Sequence, residues 1–204
     1  MKIIKSTLVI ALVLGAVGAT TAAFFSDTGT SSANTFTAGT LVLKLNGADN
    51  ATANWTLPNM APGDSVSGSL MLTNTGTLAA NHVEINPVTN SVTDAAPAAA
   101  NAIDKYLQIT AATYNGDNLL SSGDGGKNLN DSNGNGWIDL DDLESAVNAG
   151  EGGQLDNLAA PAPGGMDTKT LSMTVTFRTS APDDLQGDSD TMSLSFTLNQ
   201  DATQ

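Results

Sequence analysis

Apolar and polar residues alternate in five short stretches of the chain. The alternation is clearest in residues 171–177 and 192–198, and it recurs in residues 40–45, 66–73 and 82–85. A period of two places apolar side chains on one face of a strand and polar side chains on the other. This pattern is typical of antiparallel strands that bury one face against a core.

Turn-forming residues separate these stretches. Residues 62–64 read Pro-Gly-Asp, residues 74–76 read Asn-Thr-Gly, and residues 181–183 read Ala-Pro-Asp. Short alternating strands joined by such turns predict an all-β fold in which two antiparallel sheets pack as a sandwich.

The middle of the chain has a different pattern. Residues 94–106 are rich in alanine, and we expect a short helix there. Residues 115–167 are rich in Gly, Asp and Asn and show little alternation. Loops of that length without structure of their own are uncommon in compact domains. We therefore predict that residues 115–167 form an insertion of loop and helix within the β-sandwich, stabilised by a metal ion.

The N-terminus has the features of a signal peptide. Lys2 and Lys5 precede an apolar run over residues 8–19, and the small residues of 20–23 follow it. We predict cleavage after Ala23, which leaves a β-sandwich domain over residues 24–204. The apolar run of about 12 residues is short for a bilayer span, and a retained N-terminal anchor is the alternative interpretation.

The chain is strongly acidic and lacks cysteine. Its formal charge is −14, from 7 Lys and Arg residues against 21 Asp and Glu residues. Cleavage after Ala23 removes two lysines and no acid, so the mature charge is 5 − 21 = −16. Nucleic acid and anionic membranes are poor partners for such a surface, because both require clustered basic residues. Without cysteine, disulfides and thiolate chemistry are excluded.

One segment of the insertion matches the loop of an EF-hand. Residues 131–142 place oxygen-bearing side chains at loop positions 1, 3, 5, 9 and 12, and glycine at position 6, where the loop turns sharply. Alternate residues of such a loop direct oxygens toward one hard cation, and position 7 contributes a backbone carbonyl. The candidate calcium ligands are Asp131, Asn133, Asn135, Trp137, Asp139 and Asp142.

The surroundings of this segment resemble the calcium loop of dockerin repeats more than a complete EF-hand. Leu140, Leu143 and Val147 predict a helix after the loop, whereas residues 123–130 disfavour a helix before it. Position 12 is aspartate, which is shorter than the usual glutamate. Dockerins carry two such repeats and this chain carries one, so we expect a structural calcium ion and no dockerin-type partner. An ion-free surface turn is the alternative.

Three parts of the chain resemble the TasA/camelysin family of exported biofilm-fibre proteins. They are the signal-peptide junction with residues 34–43, the long stretch 57–85, and the closing strands 171–177 and 192–198. The resemblance implies a jelly-roll-like antiparallel β-sandwich and export through a dedicated signal peptidase. It also implies assembly of many copies into extracellular fibres, pili or a biofilm matrix at the cell surface.

The same resemblance implies how copies would join. In fibre-forming members the N-terminal segment of one subunit completes a sheet of its neighbour. Here that donor strand would be about Phe24–Ala33, with Phe24 and Phe25 as its apolar anchors. Packing of these residues within their own subunit is equally compatible with the sequence. A monomeric secreted calcium-binding or adhesion module is the alternative function.

Camelysin-type members have been classed as metallopeptidases, but the sequence favours a protein that is not an enzyme. His82 is the single histidine, and no His-Glu-x-x-His segment exists to bind a catalytic zinc ion. No serine lies in a Gly-x-Ser-x-Gly context. We therefore assign no catalytic residue, and we expect His82 at a surface or edge position of its strand.

Overall fold

The computed structural model describes residues 38–49, 60–95, 101–120, 128–147 and 155–201. All of these residues belong to one compact unit, Ala38–Gln204. The predicted signal peptide, its cleavage site and the predicted donor strand lie outside the described residues. Within the described ranges, no helix is long and apolar enough to cross a membrane.

Within the described ranges, eight strands form two sheets in which all neighbouring strands are antiparallel. The first sheet contains, in spatial order, β1 (Leu43–Leu45), β2 (Ser65–Asn74), β7 (Thr168–Phe177), β4 (Leu107–Tyr114) and β5 (Asp117–Asn118). The second contains β6 (Leu158–Ala159), β3 (His82–Thr93) and β8 (Ser189–Asn199). The predicted all-β sandwich is thus confirmed.

Alternate residues of the strands form the core, as the period of two predicts. On β7 the inward-facing residues Leu171, Met173, Val175 and Phe177 are each at most 6 % exposed. On β3, Val83, Ile85 and Val88 are at most 1 % exposed. Full burial of one such side chain contributes about 1.5–3 kcal/mol to stability, so the alternating strands supply much of the driving force for folding.

In the part of the chain that the structure describes, helical structure is confined to short segments. The helix α1 (Leu140–Val147) buries Leu140, Leu143 and Val147 on one face, as their spacing predicts. In residues 94–106, where a short helix was expected, the described part contains one turn of 3₁₀ helix, Ile103–Tyr106. A second 3₁₀ turn spans Asp183–Leu185.

The segment predicted to form an insertion, residues 115–167, shares the core of the sandwich. It contains β5, α1 and β6, and its leucines 119, 129, 155 and 158 are at most 2 % exposed in the same apolar cluster as the strands. Helix α1 packs against β3. The loop that precedes α1 is therefore attached to the sandwich at both ends.

Candidate metal centre

Residues 131–142 form a tight loop that leads directly into α1. Gly134 and Gly136 have φ angles of 74° and 97°. Side chains other than glycine rarely adopt this left-handed region, so the two glycines allow the chain to reverse direction within a few residues. The sharp turn predicted at Gly136 is present.

Asp131 organises the first half of the loop. Its Oδ1 accepts hydrogen bonds from the backbone N–H groups of Gly134 and Asn135, at 2.7 and 3.1 Å. Its Oδ2 accepts a third from the N–H of Gly136, at 2.8 Å. Hydrogen bonds to a carboxylate are stronger than those between neutral groups. Asp131 therefore holds three consecutive amides around one side chain.

Asp139 and Asp142 cap the start of α1 reciprocally. The Oδ1 of Asp139 accepts from the Asp142 N–H at 3.0 Å, and the Oδ2 of Asp142 accepts from the Asp139 N–H at 3.1 Å. This is the geometry of a capping box, with aspartate in place of the usual glutamate. The Oδ1 of Asp142 also accepts from Ser132 N–H, Ser132 Oγ and Asn133 N–H. Asp142 thus ties the beginning of the loop to the beginning of the helix.

The side chains of Asn133 and Asn135 meet Asp139. The Nδ2 of Asn135 donates to Asp139 Oδ2 at 2.7 Å, and the Nδ2 of Asn133 lies 3.4 Å from both oxygens of Asp139. The oxygens of these two amides accept from backbone N–H groups of Asn135 and Trp137. For either amide to become a ligand, its oxygen would have to turn toward the ion.

Two carboxylates of this loop are buried and have no basic partner among the described residues. Asp139 and Asp142 are both 0 % exposed. Burial raises the pKa of Asp139 to about 6, and the nearby Asp142 acts in the same direction, whereas the Asp142 N–H and Asn135 oppose the rise. Within the described residues, the ion pairs of basic side chains lie elsewhere, at Asp49, Glu84 and Asp167. Buried charges are ordinarily paired with an opposite charge or coordinate a metal.

The donor set of the loop suits a hard cation, because every side-chain donor among the six candidates is oxygen. The arrangement is not that of a finished metal site. Among the described residues, no three or more His, Cys, Asp or Glu side chains form a group that could hold a metal ion. Asp131 and Asp142 instead direct their oxygens to backbone amides. Calcium binding would replace part of this hydrogen-bond network.

Trp137 attaches the loop to the sandwich through its side chain. Its indole Nε1 donates to the carbonyl of Lys105 at 2.9 Å. The guanidinium of Arg178 lies 3.6 Å from the centroid of the indole ring and donates through Nη1 to Gln108 Oε1 at 2.6 Å. The sequence predicted a role only for the backbone carbonyl of Trp137. The cation–π contact could not be inferred, because Arg178 is 41 residues away along the chain.

The backbone next to Trp137 is attached as well. The N–H of Ile109 on β4 donates to the carbonyl of Ile138 at 2.8 Å, and Gln108 and Asp139 form an isolated antiparallel bridge. These backbone contacts of Ile138 and Asp139 attach the loop to β4.

The comparison with known families concerns the whole chain. A family model described as camelysin metallo-endopeptidase matches residues 1–204. The chain belongs to the camelysin family. The resemblance predicted from the sequence is thus confirmed, and membership supports a secreted structural or biofilm protein in general terms. No curated protein matches the chain.

The single histidine of this camelysin-family protein is buried. His82 is 1 % exposed on β3, between β6 and β8, so the expectation of a surface or edge histidine was wrong. Its Nε2 lies 3.0 Å from Oε1 of Glu84 and 3.3 Å from Nδ2 of Asn199. The sequence did not reveal this burial, because β6, which covers one side of β3, is only two residues long.

A group of acidic residues near α1 was missed by the sequence analysis. Asp104 is 7 % exposed, and its pKa is raised first by burial and then by Asp141. Burial also raises the pKa of Asp190 to about 6, with further contributions from Asp104 and Glu144. These residues come from three separate elements, so no local motif marks them. They add to the negative potential beside the 131–142 loop.

Proposed function

We propose that this protein is a secreted structural subunit that assembles into extracellular fibres of a biofilm matrix by donor-strand exchange. In this proposal the 131–142 loop binds a calcium ion that stabilises the subunit. Other copies of the same chain are the partners, and a signal peptidase acts during export.

The observation that carries the proposal is the edge of β8. This strand has 11 residues and pairs with β3 from Ser189 to Asn199. On its other side, no strand within the described residues pairs with it. A long edge strand presents unpaired N–H and C=O groups that can accept a further strand. Addition of such a strand is a common mode of recognition between chains.

The inner face of β8 supports the same interpretation. Its apolar residues Met192, Leu194, Phe196 and Leu198 are only partly buried, whereas the corresponding residues of β7 are nearly inaccessible. A strand with apolar residues beside β8 would cover this exposed surface. The segment from Phe24 to Ala33 begins with two phenylalanines, which would be its apolar residues in that position.

Calcium is supported by the two buried carboxylates of Asp139 and Asp142. A divalent cation would supply the positive charge that no described Lys or Arg supplies to them. An ion that binds only the folded loop stabilises the protein by mass action. Asp131, Asn133, Asn135, Asp139 and Asp142 would contribute side-chain oxygens, and Trp137 a carbonyl.

Electron microscopy of residues 24–204 tests the assembly proposal. We expect filaments from this chain and isolated particles from a chain that begins at residue 34. A synthetic peptide of residues 24–33 should shorten the filaments of the longer chain, because it occupies the edge of β8 without presenting an acceptor of its own. A peptide of the same composition in scrambled order is the control.

Isolated particles from the longer chain, with and without calcium, would contradict the fibre proposal. That result would favour a monomeric secreted calcium-binding module. Isothermal titration calorimetry with calcium tests the proposed calcium site separately. The wild-type chain should bind about one ion per loop, and the Asp142→Ala variant should bind none.

The family description also names a peptidase activity, and our proposal treats the protein as non-enzymatic. Incubation with an unfolded protein substrate, with zinc and with a chelator, tests this. We expect no zinc-dependent cleavage. Cleavage that disappears in a His82→Ala variant of unchanged melting temperature would contradict the proposal.

A further inference from the structure

The 131–142 loop contains two Asn-Gly steps, Asn133–Gly134 and Asn135–Gly136. In such a step the backbone nitrogen of glycine attacks the side-chain carbonyl carbon of asparagine, and ammonia leaves. Water then opens the cyclic imide to give aspartate or isoaspartate. Glycine obstructs this attack least, because it has no side chain and the widest choice of backbone angles.

Asp131 holds both of the attacking nitrogens. Its Oδ1 accepts from Gly134 N–H at 2.7 Å, and its Oδ2 accepts from Gly136 N–H at 2.8 Å. A nitrogen whose proton is held by a carboxylate resists deprotonation and cannot turn toward the asparagine side chain. Attack at either step therefore requires that the loop first open.

The two asparagine amides are held as well. Oδ1 of Asn133 accepts from Asn135 N–H, and Oδ1 of Asn135 accepts from Trp137 N–H, both at 3.1 Å. Nδ2 of Asn135 donates to Asp139 at 2.7 Å. Because oxygen and nitrogen of each amide have partners, rotation of the amide toward the following glycine would break hydrogen bonds.

We propose that Asn133 and Asn135 are deamidation sites and that Asp131 protects them while the loop is folded. Conversion to aspartate would add a negative charge at loop position 3 or 5. Conversion to isoaspartate would insert a methylene into the backbone and disrupt the spacing of the loop. The inference rests on the hydrogen bonds of the ion-free loop, so it holds in a chelator whether or not the proposed calcium ion binds.

Peptide mapping by mass spectrometry after prolonged incubation of the full chain tests this inference. We expect Asp131→Ala to accelerate deamidation at both loop sites by at least about tenfold, the protection that modest local stability gives. Asn46–Gly47 and Asn115–Gly116 lie in hairpin turns outside the loop and should keep their wild-type rates. Ser132→Ala, which removes a loop hydrogen bond to Asp142 only, should change none of the four sites.

If Asp131→Ala unfolds the protein, deamidation accelerates at all four Asn-Gly sites and the result no longer reports on Asp131. A more conservative variant then provides the test. Asp131→Asn retains one acceptor oxygen of the two, so one loop site should accelerate and the other should stay protected. Wild-type rates at both loop sites in Asp131→Asn would overturn the inference.

Incubation with calcium and with a chelator separates this inference from the proposed function. Equal, slow deamidation of the wild-type loop in both conditions supports protection by Asp131 even if calcium does not bind. Rapid deamidation in the chelator, with Asp131 intact, would overturn the inference while supporting calcium binding.

Discussion

At the scale of single residues, Asp190 has a buried carboxylate whose charge the fold stabilises poorly. It faces inward at the start of β8, where both carboxylate oxygens are buried and, within the described residues, neither makes a hydrogen bond of normal geometry. Burial and the charges of Asp104 and Glu144 raise its pKa to about 6, and the N–H groups of Thr191 and Ser91 act in the opposite direction. The ionised form is therefore disfavoured in the folded state relative to the unfolded state.

This pKa predicts a pH-dependent effect of the Asp190→Asn substitution. An acid whose folded pKa is raised destabilises the protein above that pKa, and the penalty disappears as pH falls through about 6 toward the unfolded value of 3.8. Asp190→Asn should raise stability at pH 8 by on the order of 1 kcal/mol, allowing for solvent screening. Thermal melts from pH 4 to 8 measure it, and the gain should vanish near pH 4.

The matched control for this prediction is Asp183→Asn, because Asp183 is exposed. It should leave the melting temperature unchanged across the same pH range. A gain from Asp190→Asn that is equally large at pH 4 and pH 8 would show that titration of Asp190 does not cause it.

Arg178 provides a second prediction at this scale. Its guanidinium stacks on Trp137 and bonds to Gln108, so it joins β7, β4 and the loop. Arg178→Gln should lower the free energy of unfolding by about 1–2 kcal/mol. Arg178→Lys keeps the charge but not the planar stack and should recover only part of this loss. Denaturant melts followed by Trp137 emission in a Trp55→Phe background measure both, and equal stability of all three chains would contradict the prediction.

At the scale of elements, substitutions at the start of α1 distinguish helix capping from ion binding. Asp139→Asn keeps a good N-cap residue but removes a buried charge, whereas Asp142→Ala removes a carboxylate that accepts four hydrogen bonds. In a chelator, Asp142→Ala should cost about 2 kcal/mol and Asp139→Asn should be neutral or stabilising. Excess calcium should raise the melting temperature of the wild type most.

Equal stabilisation of the wild type and both variants by calcium would show that the ion binds elsewhere. Ser145→Ala is a suitable control, since Ser145 is exposed on α1 and belongs to no predicted ligand set.

Five strands and α1 could be predicted from the sequence, because the apolar residues of each recur at the spacing of a strand or of a helix. β4 could not, since a bulge between Ile109 and Ala111 shifts its register and breaks the alternation in the middle of the strand. A similar shift between Ile85 and Val88 hid the second half of β3. The 131–142 loop could be recognised because its candidate ligands lie close together in the sequence. The partners of Trp137, His82 and Asp190 come from distant elements, which the sequence does not reveal.

At the scale of the whole molecule, charge and the open edge of β8 oppose each other. The edge and its half-buried apolar face favour contact between copies, whereas the charge of −16 predicted for the chain after cleavage makes copies repel. Repulsion between like-charged surfaces acts over about 10 Å at 0.1 M salt and over shorter distances at higher salt. The proposed assembly must therefore depend on ionic strength.

Calcium would act on this balance in two ways that an experiment can distinguish. As a screening ion it should have the same effect as magnesium at equal ionic strength, whereas as an ion bound in the 131–142 loop it should act specifically.

We expect sodium chloride to accelerate filament growth of residues 24–204, measured by light scattering, with a plateau at about 0.2 M as screening saturates. Calcium added at that plateau should give a further increase that saturates with occupancy of the loop. Asp142→Ala should keep the response to sodium chloride and lose only the further increase. If magnesium reproduces the calcium response at the plateau, calcium acts only as a screening ion and the loop has no part in assembly.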